Sequence, residues 1–534
     1  MDSLTGGTIG ECLRERADKM PEHSAMRAGE WSCSYRRFEE ITELLAIDLM
    51  QRGLEKGDRI GILGVNSPNW VFTFLAAVKI GVVPFLLNTC SCERELEEIL
   101  NRSSLNTLFY GKGHHDLVYK DILSSLCKRG KRSERMLPID REGEASLSEA
   151  DFPASYSGEA LRRGLLSREE AVRPEDTACV LFTSGSTAAP KGVMLCHQSL
   201  LRNAEAMRDA MGWGEADRMC LAVPLFHTFG ITAGILACIL SGASMEILPY
   251  YRTEAVWNAV EEKHCTILNG VPSMFLAMVR KEGYRGRDGS SVRSGIIAGS
   301  AFSAEEYQEI KGKFSRMDLR PSYGMTETSP CVTIVRPGSE KEILEGSCGL
   351  PIPGVRVRII RSGRECACGE SGEVQVKGYN LMQGYFDSPE ETARAFTEDG
   401  WLHTGDLGYL DQRAALHISG RMKDIIIRSG ENISPAEIEE ELDQFPGVQR
   451  VKVVGVKASV RQEEVVACMK MQEGITLDPD AVQAFLAPRL SAYKMPTYII
   501  QLDCFPETAS GKPDIKAIRE MAEEAIRTAR ACYM

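Results

Sequence analysis

Short, almost wholly apolar runs at residues 59–65, 82–87, 105–110, 179–182, 219–223, 266–268 and 295–298 alternate with stretches of helical pattern. Runs this short, without a polar face, fit strands buried on both sides, and the intervening helices supply the covering layers. The first unit is explicit: Ser67 and Pro68 give a helix start, 70–80 is helical in pattern, and Gly81 stops it before the next strand. The polar stretch 111–176 reads as surface helices and loops of the same body. Near 355–360 and 372–377 the pattern switches to strict alternation with Gly, Pro and Ser between, as in an antiparallel piece attached to the main body.

Past Gly420 a compact mixed set follows, with strands at 425–427, 451–456, 464–469 and 498–502 and helices at 435–443 and 480–490. The expected fold is α/β: a large N-terminal body of parallel sheets with flanking helices and an antiparallel subdomain, residues 1–420, plus a small α+β C-terminal domain, residues 421–534. A length of 534 residues suits that division. The almost uncharged run 229–248 has the length of a membrane span, but Gly230, Gly234, Ser241, Gly242 and Ser244 interrupt it, so it reads as a helix buried against a sheet.

A formal net charge of −12 argues against nucleic acid as a partner, and the one basic cluster, Lys128, Arg129, Lys131 and Arg132, reads as a solvated loop. The 17 cysteines are odd in number and scattered, many inside apolar runs, as with Cys179, Cys220 and Cys238, so free thiols in a reducing compartment are expected. Neither C-x-C pair, Cys90 with Cys92 or Cys366 with Cys368, has the second pair a structural zinc site uses. Residues 1–11 lack a secretory pattern, which makes the cytoplasm the default. Oligomeric state is left open.

The strongest chemical signal is Leu181-Phe182-Thr183-Ser184-Gly185-Ser186-Thr187-Ala188-Ala189-Pro190-Lys191-Gly192, where an apolar strand empties into hydroxyls, a glycine and a lysine. Ser184, Ser186 and Thr187 offer donors, Gly185 lets backbone amides approach an anion, and Lys191 brings a positive charge. The common nucleotide loop G-x-x-x-x-G-K-[ST] is excluded, because Pro190 stands where it needs glycine.

This segment resembles T-S-G-[ST]-T-G-x-P-K-G, the signature of the adenylate-forming acyl-CoA synthetases, departing from it only at Ala188. Further segments resembling that family follow in order over almost the whole chain. Pro224 to Gly230 resembles the segment whose histidine, here His227, borders the acid pocket. Gly299-Ser300-Ala301 resembles the adenine-contacting turn. In Tyr323-Gly324-Met325-Thr326-Glu327-Thr328 the resemblance has Tyr323 stack on adenine, Thr326 bond the α-phosphate and Glu327 hold Mg²⁺. Asp406 and Arg421 resemble the ribose contacts, Lys423 the hinge of a mobile small domain, Gly430 the residue beside the pantetheine tunnel, and Lys512, in Pro506 to Lys512, the catalytic lysine. Taken singly, His227 and Tyr323 would read as core, Glu327 as surface, and Asp406 with Arg421 as a charged turn.

The resemblance implies an ATP-dependent acid–thiol ligase using ATP, Mg²⁺ and coenzyme A, with a small-molecule carboxylic acid as substrate. The wording of 428–433 and the Phe226-His227 pair are most similar to medium- or long-chain fatty acyl members. Three alternatives stay open: a carrier-protein phosphopantetheine as acceptor, an aryl or other organic acid as substrate, and a degenerate nucleotide-binding protein.

Overall fold

The computed structural model describes residues 7–105, 107–114, 117–128, 135–140, 146–183, 190–284, 286–421, 425–458, 461–506 and 514–531. The apolar runs form strands of two large sheets. In the first, Arg59–Leu63 lies between Val83–Leu86 and Thr107–Tyr110, all parallel, and Thr177–Thr183 joins beside Val83–Leu86. Arg135–Pro138 extends this sheet at its edge, so part of the stretch read as surface helices and loops is strand. It is half-exposed and only four residues long, and carries no apolar run to give it away.

Between the first and second units the helix Pro68–Lys79 has every residue buried. A helix apolar on all sides must be enclosed, and this one is packed against both flanking helices and strands. Lys79, at 1% exposure, ends it without an orphan charge, because Glu39 accepts from its Nζ at 2.5 Å and Glu169 lies 3.4 Å away.

The second sheet has Ser244–Ile247, Arg218–Leu221, Ile267–Leu268, Ser294–Ile297 and Asp318–Gly324 in parallel order. The uncharged run is a helix that gives way to a strand: Thr228–Gly230, a π-helical Ile231–Leu236 and Ala237–Ser241 end at Gly242, whose φ of +77° caps the helix, and Ser244–Ile247 then enters the sheet.

Val355–Arg361, Gly372–Gly378, Leu402–Leu410 and Leu416–Arg421 form the antiparallel subdomain. The last part of the chain builds its own sheet from Ile426–Arg428, Glu431–Ile433, Val448–Ala458, Gln462–Met471 and Tyr498–Gln501. Helices Pro435–Leu442 and Pro479–Leu486 bury Ile438, Leu442, Val482 and Leu486 on one face, and Ile515–Ala531 buries Ile518 and Ala522 on the other. Parallel sheets in the body and antiparallel ones after it agree with the expected fold class. Among the described residues no helix is long and apolar enough to cross a membrane.

Candidate active site

Two of the candidate motifs meet because their strands are neighbours. Ser294–Ile297 and Asp318–Gly324 pair in parallel, so Gly299, Ser300 and Ala301 leave the sheet beside Tyr323, Gly324 and Met325. Loops at the carboxyl ends of parallel strands are where such sheets bind ligands. Gly299 has φ +88°. Ser300 Oγ is buried without a hydrogen-bond partner among the described residues, a polar atom left for something else to satisfy. A β-carbon at Gly324 would run into the Pro330 carbonyl, so only glycine fits there. The turn Thr326–Thr328 follows, with Met325 donating its backbone N–H to Thr328 Oγ1 at 3.0 Å.

Tyr323 donates its hydroxyl to Asp406 Oδ2 at 2.7 Å. Asp406 is buried on Leu402–Leu410, and its backbone is paired with that of Arg421. The Arg421 side chain lies outside the described set. The two predicted ribose and adenine positions are thus brought together across two different sheets.

The phosphate side is built on a reversal. Thr177–Thr183 and Lys191–Cys196 are antiparallel, with Thr183 opposite Lys191, so both ends of the hydroxyl-rich segment are pinned. Ser184, Gly185, Ser186 and Thr187 lie outside the described residues. Lys191 forms an ion pair with Glu391, and its Nζ sits 5.1 Å from the Tyr385 ring. The Tyr385 hydroxyl in turn donates to Glu327 Oε1 at 2.9 Å. Burial, then the Glu327 carboxylate, hold that phenol far above its ordinary range, so it stays a donor. Nothing in the sequence pattern singled out Tyr385. It arrives through Gly384–Tyr385, which pairs with Lys191–Cys196.

Glu327 is buried, its carboxylate accepts from Tyr385, and the Thr326 hydroxyl precedes it on the same turn. That oxygen-only set fits Mg²⁺, which takes one or two carboxylates and completes its shell with phosphate and water. Among the described residues no group of three or more His, Cys, Asp or Glu could form an all-protein cage.

The small domain reaches the same place. Gly430, at φ +87°, lies so close to Val271 that a β-carbon would stand 2.8 Å from its Cγ1. A β-carbon at Gly299 would stand 3.1 Å from that same methyl. The next residue, Glu431, is 3.1 Å from His227 Nε2. Burial opposes the Glu431 charge, but His227, with Lys494 and His114, outweighs it and holds the carboxyl below its ordinary range. His227 therefore faces the small domain, a contact invisible at a separation of 204 residues. Lys423 and Lys512 lie outside the described residues.

A strand reversal ending at Lys191, a buried carboxylate of the kind magnesium takes and a glycine loop from the last part of the chain are features a nucleotide-dependent ligase would use. Comparison with known proteins agrees: residues 13–386 match the AMP-binding enzyme family and 437–512 the AMP-binding enzyme C-terminal domain, and the chain belongs to this family. It is 34% identical to the putative acyl-CoA synthetase YngI of Bacillus subtilis (strain 168), over 98% of each chain. Identity to the mitochondrial medium-chain acyl-CoA ligase ACSF2 of Homo sapiens is 30%, over 97% of this chain and 88% of that one. Among solved structures, a double mutant of o-succinylbenzoate CoA synthetase (MenE) from Bacillus subtilis, bound to a product analogue, matches with a TM-score of 0.80 at 26% identity, covering 95% of this chain and 97% of that one. The protein is accordingly an ATP-dependent ligase of the adenylate-forming acyl-CoA synthetase type, working with ATP, Mg²⁺ and CoA.

Proposed function

We propose that this ligase activates a medium- or long-chain fatty acid as its acyl-adenylate and passes the acyl group to free coenzyme A. The observation that carries the reading is the docked loop: Gly430 against Val271 and Glu431 on His227 put the predicted thiol-side segment at the predicted acid-side histidine. In the first step an acid oxygen bonds the α-phosphorus as the bond to pyrophosphate breaks. In the second, the thiol sulfur bonds the acyl carbon and AMP leaves. In this reading Lys512, Thr326, Lys191 and the segment 184–187 offset charge at the phosphates, Asp406 and Arg421 hold the ribose, and Tyr323 with 299–301 holds adenine. Mg²⁺ held by Glu327 would supply further neutralisation. Lys423 is the proposed hinge about which the small domain turns between the two steps, with the boundary near residue 421.

An apolar acid tail is supported by the uncharged stretch that follows His227. From Thr228 to Ser244 no residue is charged, and Ile231, Ala233 and Ile235 are fully buried. The likeness to a synthetase of an aromatic acid favours a second reading, an aryl acid. Cysteines without disulfides among the described residues fit a cytoplasmic location.

The test is pyrophosphate exchange into ATP across acids from acetate through fatty acids to benzoate, followed by turnover with CoA as sole acceptor. Exchange peaking among the medium- or long-chain fatty acids, with steady turnover, is expected. A peak at benzoate selects the aryl reading, and exchange without turnover on CoA selects a carrier-protein acceptor.

A further inference from the structure

Outside the residues given a role in the reaction, the small domain meets the body at the first turn of the Glu93–Ser103 helix. Glu95, 7% exposed, accepts from Lys494 Nζ at 2.6 Å on one oxygen, and from Ser491 Oγ on the other. That second oxygen also caps its own helix, accepting from the Cys92 backbone N–H at 2.9 Å. Lys494, 3% exposed, is shared with Glu437 of its own domain at 2.8 Å. Alongside, Arg94 pairs with Glu441, which also lies 3.7 Å from Arg489.

Two features separate this contact from an ordinary surface pair. Both charges are almost fully buried, so its geometry is demanding. Lys494 also keeps Glu437 in any orientation of the small domain, because both belong to that domain, whereas Glu95 is reached only when the domain is seated as here. Burial pushes the Lys494 ammonium down and the Glu95 and Glu437 carboxylates more than restore it, so it remains charged. A buried pair adds little net stability, but it selects one arrangement, since a shifted one strands a desolvated charge.

We infer that Glu95 and Lys494 form a positioning latch that selects the seated orientation of the small domain, the one in which Gly430 and Glu431 reach Val271 and His227, and so serves acyl transfer to the thiol rather than adenylation. The inference rests on the function proposed above. Neither residue touches a reacting atom.

The test uses the full chain carrying Glu95→Gln, whose carbonyl oxygen can still cap the helix at Cys92. Pyrophosphate exchange should stay near the wild-type rate, while thioester formation from supplied acyl-AMP and CoA should slow about tenfold or more, as expected for loss of one partner of a buried pair. Glu95→Asp should recover part of that rate. Amide hydrogen exchange over 489–495 should accelerate in Glu95→Gln, a readout that needs no chemistry. Arg94→Ala, at a side chain 50% exposed, is a second variant tolerated by the fold and should show the same pattern more weakly. Equal loss of both half-reactions, or unchanged thioester formation with unchanged hydrogen exchange, would overturn the latch. A wild-type protein that runs neither half-reaction would sink the functional reading instead, and hydrogen exchange would still decide the latch.

Discussion

Replacing Tyr385 with phenylalanine removes one oxygen and little else. The ring stays under Lys191, the short strand keeps its pairing to Lys191–Cys196, and the Glu327 backbone keeps the Met382 N–H at 2.8 Å. What goes is the 2.9 Å hydrogen bond that fixes the Glu327 carboxylate. A glutamate held less tightly must be re-ordered when it takes a cation, at up to about 1.5–2 kcal/mol. At 1.4 kcal/mol per factor of ten this is about 10- to 30-fold in metal affinity, inside the ~10- to 100-fold typical of lost partners to metal-ligating groups. With Glu327 in its proposed role, the free magnesium needed for half-maximal pyrophosphate exchange should rise by about that factor. The rate at saturating magnesium should stay close to wild type. Exchange measured against free magnesium at fixed ATP and acid checks this. An unchanged half-saturation point, or a loss of rate that magnesium cannot restore, would refute the assignment of Tyr385 as the support of a metal-holding carboxylate.

Lys512→Ala should slow pyrophosphate exchange about a hundredfold or more, the scale of one lost preorganised donor, and affect thioester formation from supplied acyl-AMP much less; comparable losses in both would contradict the role. Gly430→Leu places a β-carbon 2.8 Å from Val271 at a φ of +87°, so thioester formation should fall at least about tenfold while exchange persists, and an unimpaired variant would mean the loop does not seat there. His197 is fully buried, accepts the Ile9 N–H at 3.2 Å, and is lowered by burial from 6.5 to about 4. Its neutral form contributes stability present above pH 6.5 and lost as pH falls toward 4, about 3 kcal/mol in all; urea unfolding of His197→Gln should lose that slope.

The strands of the body could be read because a buried parallel strand leaves a continuous apolar run, as at Arg59–Leu63 and Ser294–Ile297. Arg135–Pro138 left none, since it sits at an edge, and Gly242 converted a run that looked uniformly helical into helix and strand. The site divides in the same way. His227, Tyr323, Glu327 and Asp406 stand in local motifs, and the structure supplies their neighbours. Tyr385 and Val271 act through partners 58 and more than a hundred residues away, with no motif of their own, and Glu431, though inside the 428–433 segment, meets a partner 204 residues away. Glu95 stands among other charges on its helix, and no motif marks it. The segments 184–189 and 507–513, where the sequence signal was strongest, lie outside the described residues.

Val271 borders two glycines far apart in the chain, one in the turn after Ser294–Ile297 and one in the last part of the chain. A single methyl-bearing wall therefore serves two rooms. If the turn at Gly299 holds the purine as proposed, trimming Val271 to admit a bulkier one would also loosen the seat of Gly430, so one compartment could not be retuned while leaving the other as it was.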